Sequence, residues 1–257
     1  ISSNRLNKKV LDYLKKRNLD NKSIEEFNLG YVPFDSNTFL HLNDRFEKKS
    51  LKDSGLFYLD ERKNEYVDRF RGRLIFPIYS LTGRAIAVGG RIIEENKKIA
   101  KYINSPETNF FKKGNNLYNL NKARKISNKY DEVYLVEGYM DVIKLYNNFI
   151  PNCVANLGTA LTNKQILLLG QFFSEVIICF DGDDSGYKAA LRAAENSLKF
   201  LQPEKQISFL LLPSGEDPDS FVESKGCEYF LKYSEENRIQ IHKFIFSHYL
   251  NNSKKTP

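Results

Sequence analysis

At 257 residues, 41% hydrophobic and 28% charged, the chain carries enough apolar material for one large or two modest domains with a real core. No apolar run approaches the roughly 18–20 residues of a membrane-crossing helix, and the opening Ile1-Ser2-Ser3-Asn4-Arg5 lacks the apolar centre of a secretion signal, so a non-membrane, intracellular protein is expected. The formal charge of +7 divides into +11 over residues 1–126 (26 Lys+Arg against 15 Asp+Glu) and −4 over residues 127–257 (13 against 17), a balance that suits a polyanion whose phosphates are brought to clustered acids, although a solvated, lysine-rich surface would look the same.

Cys153, Cys179 and Cys227 are odd in number and widely separated, which argues against a disulfide framework and a structural zinc site and leaves them as small core residues. The sole methionine is Met140, so the chain is expected to be a piece of something longer.

In chain order, Leu6, Val10, Leu11 and Leu14 recur at helical spacing. A second helix is expected over about 23–28, with Ser23 as N-cap, Glu26 three residues on and Gly30 as its stop. Residues 38–53 read as helical and charged, and 55–66 as a hairpin with a charged tip at 60–64. The runs 74–79 and 85–88 flank the turn Leu81-Thr82-Gly83-Arg84 and predict an antiparallel pair. An α+β, basic subdomain over 1–126 follows.

From Asp131 the period changes. Strand-like runs at 133–137, 153–157, 176–181 and 206–212 alternate with helical stretches at 139–148, 162–169 and 185–201, the last with Ala189, Ala190, Leu191, Ala193, Ala194, Leu198 and Leu201 as its apolar face. Such alternation implies right-handed βαβ crossovers and a parallel sheet over 127–212, with ligands at the carboxyl ends of its strands. An acidic loop and a helical region, about 227–250, complete the 213–257 segment.

The acids fall on that edge. Glu137 ends the first run, Asp181 and Asp183 follow the third, Asp217 and Asp219 follow the fourth, and Asp141 lies one helical turn in. Any one of them alone would serve as a helix N-cap. Delivered together from separate strands they repel one another, and a hard divalent cation with oxygen ligands is a natural counter-charge. No His or Lys is expected nearby, which favours Mg²⁺ or Mn²⁺ over zinc, with two or more ions suited to phosphoryl transfer. Gly138 and Gly182, beside the acids, would permit close approach of backbone or ligand.

Glu137-Gly138-Tyr139-Met140-Asp141, Asp181-Gly182-Asp183 and the acids at 217 and 219 resemble the TOPRIM domain of primases, topoisomerases and some nucleases. The first half narrows the resemblance. Leu29-Gly30-Tyr31-Val32-Pro33, the run Asp68 to Ile78 containing Arg69-Phe70-Arg71-Gly72-Arg73, Val88-Gly89-Gly90-Arg91, Lys101-Tyr102-Ile103-Asn104-Ser105-Pro106-Glu107-Thr108, Phe111-Lys112-Lys113-Gly114-Asn115-Asn116-Leu117-Tyr118 and Asn156-Leu157-Gly158-Thr159 are similar, in order, to the DnaG-type bacterial DNA primases. The similarity runs from about residue 8 to 226.

The resemblance implies a template-dependent RNA polymerase core making short primers on single-stranded DNA, normally placed between a zinc-ribbon domain and a helicase-binding domain. It implies ribonucleoside triphosphates, an RNA primer on DNA and the replicative helicase as partners, the last through a region outside this chain, and a monomeric, cytoplasmic protein at the replication fork, or an organellar one in a eukaryote. Glu137, Asp181 and Asp183 would be catalytic and metal-proximal, with Asp141, Asp217 and Asp219 as further ligands. Arg69, Arg71, Arg73, Arg91, Lys101, Tyr102, Asn104, Lys112 and Tyr139 would bind nucleotide or template. Period two would put Arg69, Arg71 and Arg73 on one face as a row of phosphate forks, and Tyr139 would stack or pack. Ser185 and the extra acid Asp184 depart from the family pattern. Another TOPRIM enzyme, a nuclease or topoisomerase, and a non-catalytic nucleic-acid-binding module remain the alternatives.

Overall fold

The computed structural model describes residues 8–94, 99–158, 160–200 and 203–253, and the chain divides into two compact units, 1–112 and 113–257. In the first, α1 (Lys8–Lys16) buries Val10 and Leu14, one turn apart, whereas Leu11 is exposed and Leu6 lies outside the described residues. The next helix, α2 (Asn21–Glu26), is capped by Asp20 rather than Ser23. The Asp20 carboxylate accepts from both the backbone N–H (2.8 Å) and the hydroxyl (2.6 Å) of Ser23, so the serine is the capped partner. The stop is Asn28, at φ +49; Gly30 instead opens strand β1 (Gly30–Val32).

The helical stretch expected over 38–53 is two helices, α3 (Thr38–Asn43) and α4 (Lys48–Asp53). A side chain distant in sequence caps α3: buried Asp68 accepts from Ser36 Oγ (2.6 Å), Thr38 N (2.9 Å) and Phe39 N (3.2 Å), so two of the first unsatisfied donors of the helix are answered. The hairpin is β2 (Phe57–Asp60) and β3 (Glu65–Asp68), shifted towards the C-terminus of the expected one, and its Phe57 packs with Phe39 and Leu51.

Strands β4 (Arg73–Tyr79) and β5 (Ala85–Ile92) form the expected antiparallel pair, turned by Gly83 at φ +85. With β6 (Tyr102–Asn104) they make a sheet of order β1-β4-β5-β6. Pro77 is tolerated in β4 because β1 pairs only with residues 73–75, leaving that stretch of β4 a free edge where no N–H is needed.

The second unit is built on a five-stranded sheet of order β11-β10-β9-β7-β8. After the short helix α5 (Leu120–Ala123) come β7 (Glu132–Val136), α6 (Tyr139–Asn147), β8 (Cys153–Ala155), α7 (Asn163–Gly170), β9 (Glu175–Phe180), α8 (Asp184–Ser197), β10 (Gln206–Leu211), α9 (Pro218–Lys225), α10 (Cys227–Asn237), β11 (Ile239–Gln240) and α11 (Ile241–Ser253). Strands β7 to β10 are parallel and β11 pairs antiparallel with β10. Val133 to Val136 and Val176 to Phe180 are buried at every position, as a parallel sheet covered on both faces requires. Cys153 and Cys179 lie in these strands, fully buried. Helix α8 buries the small residues Gly186, Ala190, Ala193 and Ala194 and ends in a 3₁₀ turn, Leu198–Phe200; the expected continuation to Leu201 lies outside the described residues.

The division between Lys112 and Lys113 falls upstream of the expected 126/127 boundary, and hydrogen bonding supplies the reason. Gln165, fully buried on α7, donates to the carbonyls of Lys113 (3.2 Å) and Asn116 (2.8 Å) while its Oε1 accepts from Thr162 N (2.9 Å). Thr162 Oγ1 bonds the Gly114 carbonyl at 2.5 Å, and Tyr118 forms an antiparallel bridge with Ala155, the last residue of β8. At the far end of the sheet Arg238 pairs with Glu132 (2.5 Å) and Glu175 (3.5 Å), and Tyr134 donates to Ser234 (3.0 Å), which fastens α10 to β7 and β9. Gln165→Ala would strand the Lys113 and Asn116 carbonyls and the Thr162 N–H. The expected cost is about 2–4 kcal/mol, measured by urea unfolding followed by circular dichroism; a loss below about 0.5 kcal/mol would be that of an ordinary surface substitution and would refute this account of the boundary.

Candidate active site

The acidic residues come from three neighbouring strands. Glu137 follows β7, Asp181 follows β9 and Asp217 lies between β10 and α9. In chain order β7 is joined first to β8 on one side and the chain then crosses to β9 on the other, so Glu137 and Asp181 flank the point where the winding reverses, where open α/β sheets bind ligands.

Helix starts hold several of these acids. Asp183 is the N-cap of α8 and accepts from Gly186 N at 2.7 Å. Asp217 caps α9 and accepts from Ser220 N at 2.7 Å. Asp141, in the first turn of α6, accepts from Gly138 N at 2.9 Å. Each does so through one carboxylate oxygen, and the partial positive charge of a helix N-terminus lowers the cost of placing an anion there. The backbone N–H of Asp181, at the neighbouring strand end, favours the ionised form of Glu137 and offsets part of its burial.

The electrostatics show how strongly the group is compressed. Burial raises the Glu137 carboxyl above its ordinary value, and repulsion from Asp183 adds to this. Asp141 is driven well up by burial and then by Asp217, Asp181 and Asp219. Asp181 is pushed up to about 6 by burial, Glu137, Asp217 and Asp183. Among the described residues, however, no three His, Cys, Asp or Glu side chains close into a ligand cage. The acids feel one another's charge without meeting at a point, because Asp141, Asp183 and Asp217 each turn one oxygen to a helix start.

Asp219 departs from expectation. It is 8% exposed and pairs with the buried ammonium of Lys144 at 3.5 Å, while Lys144 also holds Glu223 at 2.9 Å. A lysine therefore does stand among the acids, three positions after Asp141 on α6, and Asp219 answers it rather than a cation. The spacing Asp141 to Lys144, one helical turn, was the signal available in the sequence.

Glycine fixes the loop that carries Asp181 and Asp183. A Cβ on Gly182 would overlap the carbonyl oxygens of Leu212 and Pro213, and one on Gly186 would overlap the Asp181 carbonyl. Gly182 N donates to Glu216 O at 3.0 Å. The close approach at Gly182 is thus between two backbone loops, not between backbone and ligand. Beside it opens a groove of about 640 Å³ lined by Asp181, Asp183, Asp184, Tyr187 and Ser214. A smaller cavity of about 180 Å³ lies against Glu137, Asn156, Phe180 and Arg192; Thr159, the last residue of the motif that begins at Asn156, lies outside the described residues. Tyr139 is 5% exposed and packs edge-on against Tyr118, ring centroids 4.7 Å apart.

In the first unit the three arginines do not form a row. Only Arg73 belongs to β4, and Gly72, at φ +69, breaks the alternation before it. Arg69 donates to the Gly55 carbonyl (3.1 Å) and lies over the Tyr58 ring, and Arg71 donates to the Ser36 carbonyl (2.9 Å). Arg73 is 4% exposed, with its guanidinium on the carbonyls of Ala100 (2.9 Å), Lys101 (3.2 Å) and Gly90 (3.4 Å). Arg91 is 5% exposed, its guanidinium carbon 5.3 Å from the ring centroids of both Tyr13 and Tyr102, and it donates to the Tyr102 hydroxyl at 2.9 Å. By contrast Lys101 and Tyr102 are exposed, Asn104 is partly so, and Lys112 lies 3.6 Å from Glu107 at the surface.

Residues 2–124 match the family model described as "DNA primase catalytic core, N-terminal domain", and residues 131–211 match the "Toprim domain". A DNA primase of Pseudomonas putida is 44% identical over 226 residues, covering 87% of this chain and 34% of the relative. The chain therefore spans about a third of the length of the curated relatives it matches first. The crystal structure of a DNA primase domain from Pseudomonas aeruginosa superposes with a TM-score of 0.90 at 40% identity, covering 96% of this chain and 77% of the other. A DnaG primase catalytic domain bound to ssDNA gives 0.87 at 36% identity, covering 95% and 76%.

The sign of the acid repulsion is testable. Asp181, raised to about 6 in the folded protein from 3.8, binds its proton more tightly folded than unfolded. Stability in the presence of a chelator is therefore greatest at acid pH as far as this group is concerned, and falls as pH rises from about 4 through about 6. Asp181→Asn removes the penalty: at pH 7.5 in EDTA its Tm is expected to rise by about 2–4 °C, corresponding to about 1 kcal/mol after discounting for the half-exposed position. The gain should vanish near pH 4. A Tm lowered by the substitution at pH 7.5 would show that the carboxylate is stabilised, not compressed.

Proposed function

The chain belongs to the DnaG-type bacterial DNA primase family, with a catalytic-core N-terminal domain followed by a Toprim domain, and from that premise we propose that it synthesises short RNA primers on a single-stranded DNA template. The observation that carries this reading is the delivery of Glu137, Asp181 and Asp183 from adjacent parallel strands to one rim, where burial first and then repulsion from neighbouring acids raise Glu137 and Asp181. Such a group answers to divalent cations and to the phosphates they accompany.

The donor set is all carboxylate, which fits a hard ion such as Mg²⁺ or Mn²⁺ and disfavours zinc. Glu137, Asp181 and Asp183 would hold it, with Asp141 and Asp217 nearby. When bound, divalent ions supply charge neutralisation on the triphosphate and activation of the attacking 3′-hydroxyl. The protein's own part is positioning. The helix starts that hold Asp183 and Asp217, and the loop contact at Gly182, fix the acids before substrate arrives, so little reorganisation accompanies nucleotidyl transfer. The groove beside Asp181 and Asp183 has room for a nucleotide's phosphates.

Among the basic residues, Lys101, Tyr102, Asn104 and Lys112, together with Arg69 and Arg71, are the proposed contacts to template and incoming ribonucleotide. The template bound in the ssDNA complex of the related catalytic domain is the substrate class proposed here, with ribonucleoside triphosphates and the growing RNA–DNA hybrid. The replicative helicase would be met through a region outside this chain.

Incubation with a single-stranded DNA template, labelled ribonucleoside triphosphates and Mg²⁺ should yield short labelled RNA. Asp181→Asn and Glu137→Gln should each lower the yield by at least about a hundredfold while folding normally. Template cleavage without synthesis would replace this reading with a Toprim nuclease, and DNA binding without incorporation would replace it with a binding module.

A further inference from the structure

Helix α6 buries a lysine one turn past Asp141, in the part of the second unit where the acids gather. The Lys144 side chain is 4% exposed, and its ammonium stands 2.9 Å from a Glu223 carboxylate oxygen and 3.5 Å from one of Asp219. Asp219 and Glu223 lie one turn apart on α9, so they share a face on which two like charges repel, and the one ammonium answers both. The same contact ties together two acid-bearing helix starts, since Asp141 lies in the first turn of α6 and Asp217 caps α9. Stability alone is a weak reason for such an arrangement, because a buried ion pair commonly gains nothing over apolar residues of the same volume. The ammonium also excludes a competitor. It stands at hydrogen-bonding distance from Glu223, whereas a hard ion such as Mg²⁺ draws its oxygens in to about 2.1 Å and would meet the charge of the lysine there.

We propose that Lys144 is a tethered cation of the acidic rim: its ammonium takes the place of a divalent ion at Asp219 and Glu223, and so confines divalent cations to the side of Glu137, Asp181 and Asp183. The proposal rests on the reading of that rim as a divalent-cation site, and it deepens that reading by dividing the acids between a built-in cation and a recruited one. Lys144 is a positioning residue, because it acts through the acids it holds. Being part of α6, the ammonium gives up no translational freedom on occupying its place, and no chelator removes it, so the link between α6 and α9 does not depend on metal. Asp219 still adds its charge to the field at Asp141, behind Asp217 and Asp181. Removing the ammonium would therefore strengthen the anionic group and let a divalent ion enter at Asp219 and Glu223 in its stead.

Counting bound ions separates a tethered cation from an ordinary buried ion pair. Free Mn²⁺ is followed by electron paramagnetic resonance as the metal is titrated into the parent chain, Lys144→Met, Lys144→Arg, Asp219→Asn and the double variant Lys144→Met/Asp219→Asn. Lys144→Met should bind one Mn²⁺ more than the parent. Lys144→Arg keeps the charge and should bind the parent number, and the double variant should lose the added ion. In EDTA, Lys144→Met should melt roughly 5–15 °C below the parent, and Mn²⁺ should raise its Tm by more than it raises that of the parent.

Asp219→Asn tests the same point with the lysine in place. It should leave the number of bound Mn²⁺ unchanged and the affinity within about threefold of the parent. A larger loss would make Asp219 a ligand beside the lysine and would overturn the inference. So would a folded Lys144→Met that binds only the parent number, and in that case the reading of the rim as a cation site stands. A Lys144→Met variant that folds only with Mn²⁺ supports the inference. If it folds under neither condition, Asp219→Asn and Lys144→Arg decide the matter alone. A parent chain that binds no Mn²⁺ would overturn the reading of the rim, and this inference with it.

Discussion

Carboxylates at neutral pH repel, and the second unit is arranged around keeping several of them near one another. The opposing forces are local and identifiable. Asp183 and Asp217 each accept a backbone N–H at 2.7 Å from the first turn of the helix they cap, Asp141 accepts from Gly138, and the Asp181 backbone N–H favours the ionised form of Glu137. The three bonds at helix starts are each worth about 1–2 kcal/mol, enough to fix a side chain, while Asp141 and Asp181 remain raised, by burial first and by their acidic neighbours second. The residual repulsion is what a divalent cation or a cation-bearing phosphate would relieve. N-capping and ligand binding, which compete as explanations for a single aspartate, need not exclude one another, because capping uses one of the two carboxylate oxygens.

That arrangement depends on the loops that end β9 and β10. The backbone at Gly182 comes so near to Leu212 and Pro213 that no side chain fits, and the bond from Gly182 N to Glu216 O ties the strand end bearing Asp181 to the approach to Asp217. Lys144 works from the opposite side. It is buried on α6 and pairs with Asp219 and Glu223 on α9, joining two helices and offsetting part of the charge of Asp219, which still raises Asp141. Three of the acids thus lean on a helix start and one on a lysine, while Glu137 and Asp181 are raised by burial and by their neighbours.

The parallel sheet, its strand order of burial and the placement of acids at the strand ends were legible in the sequence, because unbroken runs such as Val176 to Phe180 and the acids that follow them record both burial and the end of burial. The antiparallel pair β4–β5 was legible from the turn at Gly83. What escaped was set by partners remote in the chain. Asp68 caps α3 across thirty positions of sequence, so no local pattern announces it. Strands β1, β6 and β11, two or three residues each, are too short to show a period. Asp20 displaced Ser23 as a cap because the aspartate lies outside the helix and the serine within it. The alternation Arg69, Arg71, Arg73 looked like one face of a strand, yet Gly72 at positive φ delays the strand to Arg73; periodicity describes an element only where the element exists.

The basic residues of the first unit illustrate why arginine and lysine are not interchangeable. Burying a cation is tolerable when its donors are answered in full, and the planar guanidinium can reach several carbonyls at once while remaining charged. Arg73, on three main-chain carbonyls, and Arg91, between two aromatic rings, use that geometry. An ammonium in either place would offer a point charge without the fork and would be more expensive to desolvate. Lysine instead occupies accessible positions, at Lys101 and Lys112, where its strongly hydrated ammonium stays in water. Net positive charge is therefore a poor count of accessible cations, because part of it lies buried against main-chain carbonyls and aromatic rings.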